Sequence, residues 1–180
     1  KESINENGIL FKVQIAASGE PLKNIEQSSY FVPNYHTKIN LLAHLLNNKE
    51  EFNKVLVFVT SKKVANDLFE KMNEEHSGVG VIHGNKDQNY RNEMIQKFDG
   101  GNVRILIATD VIARGIDLDQ LSHVINFDTP SFPENYIHRI GRTGRAQKSG
   151  KSILFFTEKE EHDKKAIETL MNYEIPEMYW

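Results

Sequence analysis

The sequence predicts an α/β fold: a three-layer sandwich with a mostly parallel sheet and helices on both faces. Three observations carry this. The short apolar runs Lys54–Val59 (KVLVFV) and Val103–Ala108 (VRILIA) have the pattern of strands buried on both sides. Segments with apolar residues at helical spacing stand between such runs. The alternation continues from about residue 36 to residue 171, which builds βαβ units joined by right-handed crossovers.

Each element has its own justification. The first dozen residues carry no period, and residues 1–24 read as a lead-in to a domain spanning 25–180. Extended segments are expected at Val13–Ala17 and Glu26–Val32, parted by the turn-like SGEP at 18–21. His36–Asn47 places Ile39, Leu42 and Leu46 at helical spacing, with Leu45 beside them. After strand Lys54–Val59, Ser61 is placed to cap a helix whose Val64, Ala65, Leu68, Phe69 and Met72 form one stripe. Val79–Ile82 follows as a strand, then a helix over Asp87–Phe98 with Met94, Ile95 and Phe98 inward. Strand Val103–Ala108 leads into a short helical turn, Asp110–Ala113, stopped at Gly115. His123–Phe127 is a strand, and Pro133 opens a helix at a first helical position. Strand Ile153–Phe156 and helix His162–Met171 close the chain.

Composition narrows the function classes. The 180 residues carry a net charge of -3 and no cysteine, which excludes a disulfide scaffold and thiolate metal sites. No apolar run reaches the roughly 18 residues of a membrane span. An acidic chain that meets phosphate does so through a local basic patch. The chain begins at Lys1 rather than methionine, which suggests a piece of a longer protein.

In open α/β sheets ligands bind beyond the carboxyl ends of the strands, so the segments after each strand hold the candidates. In TDVIARGID (109–117), Thr109 and Asp110 can cap the following turn. Arg114 and Gly115 offer charge and close backbone approach, and Asp117 can accept from a sugar hydroxyl or orient an arginine. In HGNKDQNYR (83–91), Arg91 is a candidate contact to a phosphate backbone, with Gln88 one turn earlier steadying it, and His83 reads as a turn residue. The strongest signal is HRIGRTGR (138–145). From Arg139 a positive charge recurs at every third position (Arg142, Arg145, Lys148, Lys151), with no acidic residue between Asn135 and Thr157. Gly141 and Gly144 argue that the helix ends among these arginines, whose guanidinium forks suit phosphate oxygens. No G-x-x-x-x-G-K-[ST] loop is present: Gly150-Lys151-Ser152 has Arg145 where the first glycine belongs. Arginines fit to assist phosphoryl transfer, with nothing to cradle a nucleotide, suggest half of an active site.

These residues resemble DEAD-box ATP-dependent RNA helicases. ATDVIARGID and HRIGRTGR are similar to motifs V and VI of that family, and His83, Gly84, Gln88 and Arg91 to motif IVa. VLVFVTSK resembles motif IV, and HVINFDTP the segment between V and VI. The order holds from about Gln27 to the closing EIPEMYW and points to the C-terminal RecA-like lobe alone, of bacterial type. The resemblance implies arginine fingers at Arg142 and Arg145, with Asp117 near the ribose and the fingers. It implies lobe coupling through His138, Arg139 and Gln88, and RNA-backbone contacts at Arg91, Thr109, Arg114 and Gly115, with Thr60 a further candidate. It also implies ATP shared with an N-terminal lobe that holds Mg²⁺, sequence-independent RNA binding, a cytoplasmic location and no ATPase activity in this lobe alone. The segment AQKSGKS (146–152) departs from the family by lacking a second glycine. A DNA-directed motor of the same superfamily and a non-catalytic docking module are the other readings of these residues.

Overall fold

The computed structural model describes residues 25–110, 121–141 and 150–180, and the architecture is that of these residues. In chain order the elements are β1 (Ile25–Phe31), α1 (Tyr35–Leu46), β2 (Val55–Val59), α2 (Lys62–Glu75), β3 (Val79–Ile82) and α3 (Gln88–Asp99). They continue with β4 (Ile105–Thr109), β5 (His123–Asn126), α4 (Pro133–Ile140), β6 (Gly150–Phe156), α5 (Glu161–Met171) and β7 (Glu177–Met178). A 3₁₀ turn at Glu158–Glu160 precedes α5. The strands form one sheet in the order β3-β4-β2-β5-β6-β1-β7, and every pairing is parallel.

The layers follow from which strand residues face which helices. Val55, Val57 and Val59 of β2 pack with Leu41, Leu42 and Leu46 of α1 and with Ala65, Leu68 and Met72 of α2. Leu56 and Phe58 point the other way, toward Phe98 of α3. Tyr136 and Ile140 of α4 meet Ile167 of α5 over Leu154 of β6 on that second face. Connections that step one way along the sheet use the first face and those that step back use the second, as a single crossover hand requires.

Most local expectations hold. Ser61 caps α2 by accepting from Val64 N at 3.2 Å, and Pro133 stands at the start of α4. The helix ends at Ile140, with Gly141 as its cap, as the glycine there suggested. Two details differ. In α1 the stripe that faces the core is Lys38, Leu41, Leu42 and Leu46, while Ile39 and Leu45 are half-buried. A lysine occupies a core position there because two carboxylates receive it. The sequence offers no pattern for β7, two exposed residues that extend the sheet beyond β1. The expected strand Val13–Ala17, the SGEP turn and most of the turn Asp110–Ala113 lie outside the described residues.

Candidate functional site

The parallel sheet brings the carboxyl ends of its strands to one edge. Here β2 ends in Thr60, β3 in His83, β4 in Thr109 and Asp110, and β5 in Asp128 and Thr129. The feature that organises this edge is Arg139, in the last turn of α4, with 1% of its surface exposed. Its Nε and Nη2 donate to the two oxygens of Asp110 at 2.6 and 2.7 Å, a bidentate fork that ties the helix end to the exit of β4. Its Nη1 donates to Asp128 O at 2.7 Å and to Asn126 Oδ1 at 3.3 Å, and its guanidinium lies 5.1 Å over the Phe58 ring. Asn126 in turn donates to Ile153 O at 3.3 Å, which carries the tie into β6.

The positive run was expected to lack acidic partners. For Arg139 the structure corrects this: its partner lies 29 residues upstream, where a search of the local sequence does not look. Lys151 is likewise paired, its Nζ 3.5 Å from Glu51. Asp110 places both carboxylate oxygens on Arg139, while the turn it was expected to cap lies outside the described residues.

A second junction forms at Asp128. One of its oxygens accepts from Thr60 N at 2.9 Å and Thr60 Oγ1 at 3.2 Å, and the other from Lys38 Nζ at 3.4 Å. Lys38 also donates to Glu160 at 2.7 Å, and Glu160 accepts from Thr157 N and Thr129 N, both at 3.0 Å. Burying the Lys38 ammonium is tolerable because both partners are carboxylates and the nitrogen lies 5.5 Å over the Phe127 ring. Lys38 and Glu160 carry no motif signature in the sequence, and Asp128 lies in HVINFDTP without any sign of its partners. Asp110 and Asp128 fall in the post-strand segments, and position after a strand is the signal that finds them.

His83 behaves as a turn residue. Its Nδ1 accepts from Asn85 N at 3.2 Å, which leaves the proton on Nε2, 2.9 Å from Asn66 Oδ1. Burial first, then Lys86 and Lys62, lowers its pKa and favours the neutral ring. Arg91 is half-buried one turn into α3, and Gln88 donates to Asn92 at 2.9 Å. Thr109 is half-buried, and Thr60 and His138 are exposed. Asp117, Arg114, Gly115, Arg142 and Arg145 lie outside the described residues.

Among the described residues, charge at this edge is largely compensated: the cations Lys38 and Arg139 meet Asp110, Asp128 and Glu160. The arrangement therefore acts as a rigid frame that fixes strand exits relative to one another. Cations available to an external anion flank it on the β3 side, where Lys62 reaches Asn85 at 3.1 Å and Lys86 lies over the Tyr90 ring. Among the described residues no cluster of three or more His, Asp or Glu could hold a metal ion. None of the described helices is long and apolar enough to cross a membrane.

The parallel sheet, the order of its strand exits and the Arg139–Asp110 fork define a RecA-like helicase lobe. The profile of the helicase conserved C-terminal domain matches residues 37–147, and the chain belongs to that family, in its DEAD-box branch. It is 40% identical over 157 residues, 87% of its length, to eukaryotic initiation factor 4A of Caenorhabditis elegans. It is 36% identical over 167 residues, 93% of its length, to the ATP-dependent RNA helicase DeaD of Buchnera aphidicola. These matches span only 39% and 27% of the two relatives. Among solved structures, the E. coli DEAD-box protein SrmB bound to regulator of ribonuclease activity A aligns with a TM-score of 0.81 and 34% identity, over 86% of this chain and 90% of that one.

Proposed function

We propose that this lobe works as the C-terminal half of an ATP-dependent RNA helicase that hydrolyses ATP between two lobes and grips the RNA backbone across both. The observation that supports this most directly is the Arg139–Asp110 fork, which joins the root of the arginine segment to the root of TDVIARGID. In this reading Arg142 and Arg145 reach the γ-phosphate of an ATP held mainly by the N-terminal lobe, where they stabilise charge that develops on transfer. Asp117 approaches the ribose, and Mg²⁺ stays with the other lobe. Among the described residues, Arg139 spends its donors on Asp110, Asn126 Oδ1 and Asp128 O, which fits a frame and leaves nucleotide contacts to residues beyond it. Arg91, Thr109, Arg114, Gly115 and Thr60 follow the sugar-phosphate backbone, so binding has little sequence preference. His138, Arg139 and Gln88 couple the lobes. The relative DeaD carries the same activity in its name, and the working location proposed for the protein is the cytoplasm.

The test uses the two-lobe parent protein and the present chain side by side. The chain alone turns over no ATP, while the parent shows RNA-stimulated hydrolysis. Arg142→Ala in the parent lowers kcat by at least about a thousandfold without shifting its unfolding midpoint. Wild-type turnover by that variant overturns the finger assignment. Equal stimulation by RNA and DNA would overturn the choice of RNA, because an RNA-directed track senses the 2′-hydroxyl.

A further inference from the structure

A cavity of about 490 Å³ opens toward the amino ends of β1, β5 and β6, away from the strand exits that carry the candidate site. His123 forms part of its wall, 2% exposed, with the imidazole stacked on Phe52 at 3.9 Å. The hydrogen bonds around it fix its tautomer. Ser122 Oγ donates its single proton to Lys54 O at 3.0 Å and accepts from Lys54 N at 3.0 Å. His123 Nδ1, 3.1 Å from that oxygen, must therefore be the donor. Nε2 is left as a lone pair, buried and without a hydrogen-bond partner among the described residues. The Glu51 carboxylate, 3.9 Å away, is also an acceptor. Two acceptors facing each other without a proton between them call for a donor from outside.

We propose that this cavity binds the guanidinium group of an arginine side chain presented by a partner protein. Glu26 and Glu51 line the cavity against one cation, Lys151, so its lining is net negative while His123 stays neutral. Tyr30, Phe52 and Tyr173 supply ring surface on which a flat cation stacks. A guanidinium offers apolar faces, an edge made only of N–H donors, and a permanent charge, which matches this lining group by group. Glu51 and Lys151 are half-exposed side chains, 44% and 43%, so they can part to let the edge reach Glu51 and then Nε2. A lysine has donors without the flat face, and an indole has the face without the charge. The occupant is a protein segment and not the free amino acid because Tyr173 and Met178, each 47% exposed, flank the opening, with Tyr179 beyond them at 92%. That apolar rim suits the residues on either side of the arginine.

The experiment titrates the isotope-labelled 180-residue chain with acetyl-Leu-Arg-Leu-amide and follows backbone amide resonances. Lysine and tryptophan versions of the peptide and free arginine serve as comparisons. The expected result is saturable shifts at Glu26, Tyr30, Phe52, His123 and Met178, with Thr60 and Asp128 unmoved. The arginine peptide should bind at least about fivefold tighter than any comparison. Glu51→Gln should weaken it roughly five- to tenfold with the unfolding midpoint kept, and Lys151→Gln should tighten it. No shift at millimolar peptide, equal binding of the lysine peptide, or indifference to Glu51→Gln overturns the site. Tighter binding of the tryptophan peptide overturns the guanidinium assignment, and equal binding of free arginine overturns the partner protein.

Discussion

The Arg139–Asp110 fork admits a quantitative test. Arg139 is 1% exposed and makes four hydrogen bonds between 2.6 and 3.3 Å, two of them to the carboxylate of Asp110, whose side chain is 25% exposed. Asp110→Ala strands a buried guanidinium that keeps, among the described residues, Asn126 Oδ1 and Asp128 O as partners. Breaking a buried pair costs about 3–5 kcal/mol, and the quarter-exposed carboxylate position lets water in, which puts the expected loss near about 3 kcal/mol. Arg139→Met removes the charge with the donor. It leaves Asp110 able to reach water and forfeits the contacts to Asp128 O and Phe58, at about 2 kcal/mol. The double variant should then cost about 3 kcal/mol, because the second change removes a group already without its partner, giving a coupling of about 2 kcal/mol. Urea unfolding of the chain and its three variants, followed by circular dichroism, measures this. A coupling below about 0.5 kcal/mol would refute the reasoning, since the pair would then act as two independent groups.

Two further predictions follow from buried or strained positions. Burial, with a smaller contribution from Lys151, lowers the His123 pKa from its ordinary value to about 4. The unfolded chain therefore binds a proton that the folded chain refuses: stability is fully present above about pH 6.5 and falls as pH drops toward 4, by at most about 3 kcal/mol. Denaturation midpoints of the chain and of His123→Gln across that range should diverge, and parallel curves would remove His123 from the account. Gly78 and Gly101 both have positive φ, 71° and 89°, but a Cβ on Gly78 would lie 3.1 Å from Asn102 O while one on Gly101 meets nothing. Gly78→Ala should cost about 2–3 kcal/mol and Gly101→Ala about 1 kcal/mol in equilibrium unfolding. Equal costs would mean that the close backbone contact at Gly78 carries no weight.

Legibility in the sequence tracked how local the cause of each feature is. The central strands β2 and β4 announce themselves because burial on both faces demands an unbroken apolar run. Ser61, Pro133 and Gly141 were readable because each acts on its own helix end. What escaped depends on distant chain. Lys38 reads as a solvent-facing residue until Asp128 and Glu160, 90 and 122 residues away, arrive to receive it. The burial of Arg139 follows from Asp110 and not from its own basic neighbourhood. β7 exists only because β1 offers a free edge, and its two exposed residues have no pattern of their own. Of the candidate site, position after a strand was legible, whereas the pairing among those positions was not.

The fork also has a mechanical consequence. Residues 111–120 start immediately after Asp110, and residues 142–149 start three after Arg139, so both segments spring from one rivet. A pull on either is borne at the same point. From there it passes through the Asp128 carbonyl to β5, and through the Asp128 side chain to Thr60 at the end of β2. A force reaching Arg139 would in this way lean on the exits of three central strands at once.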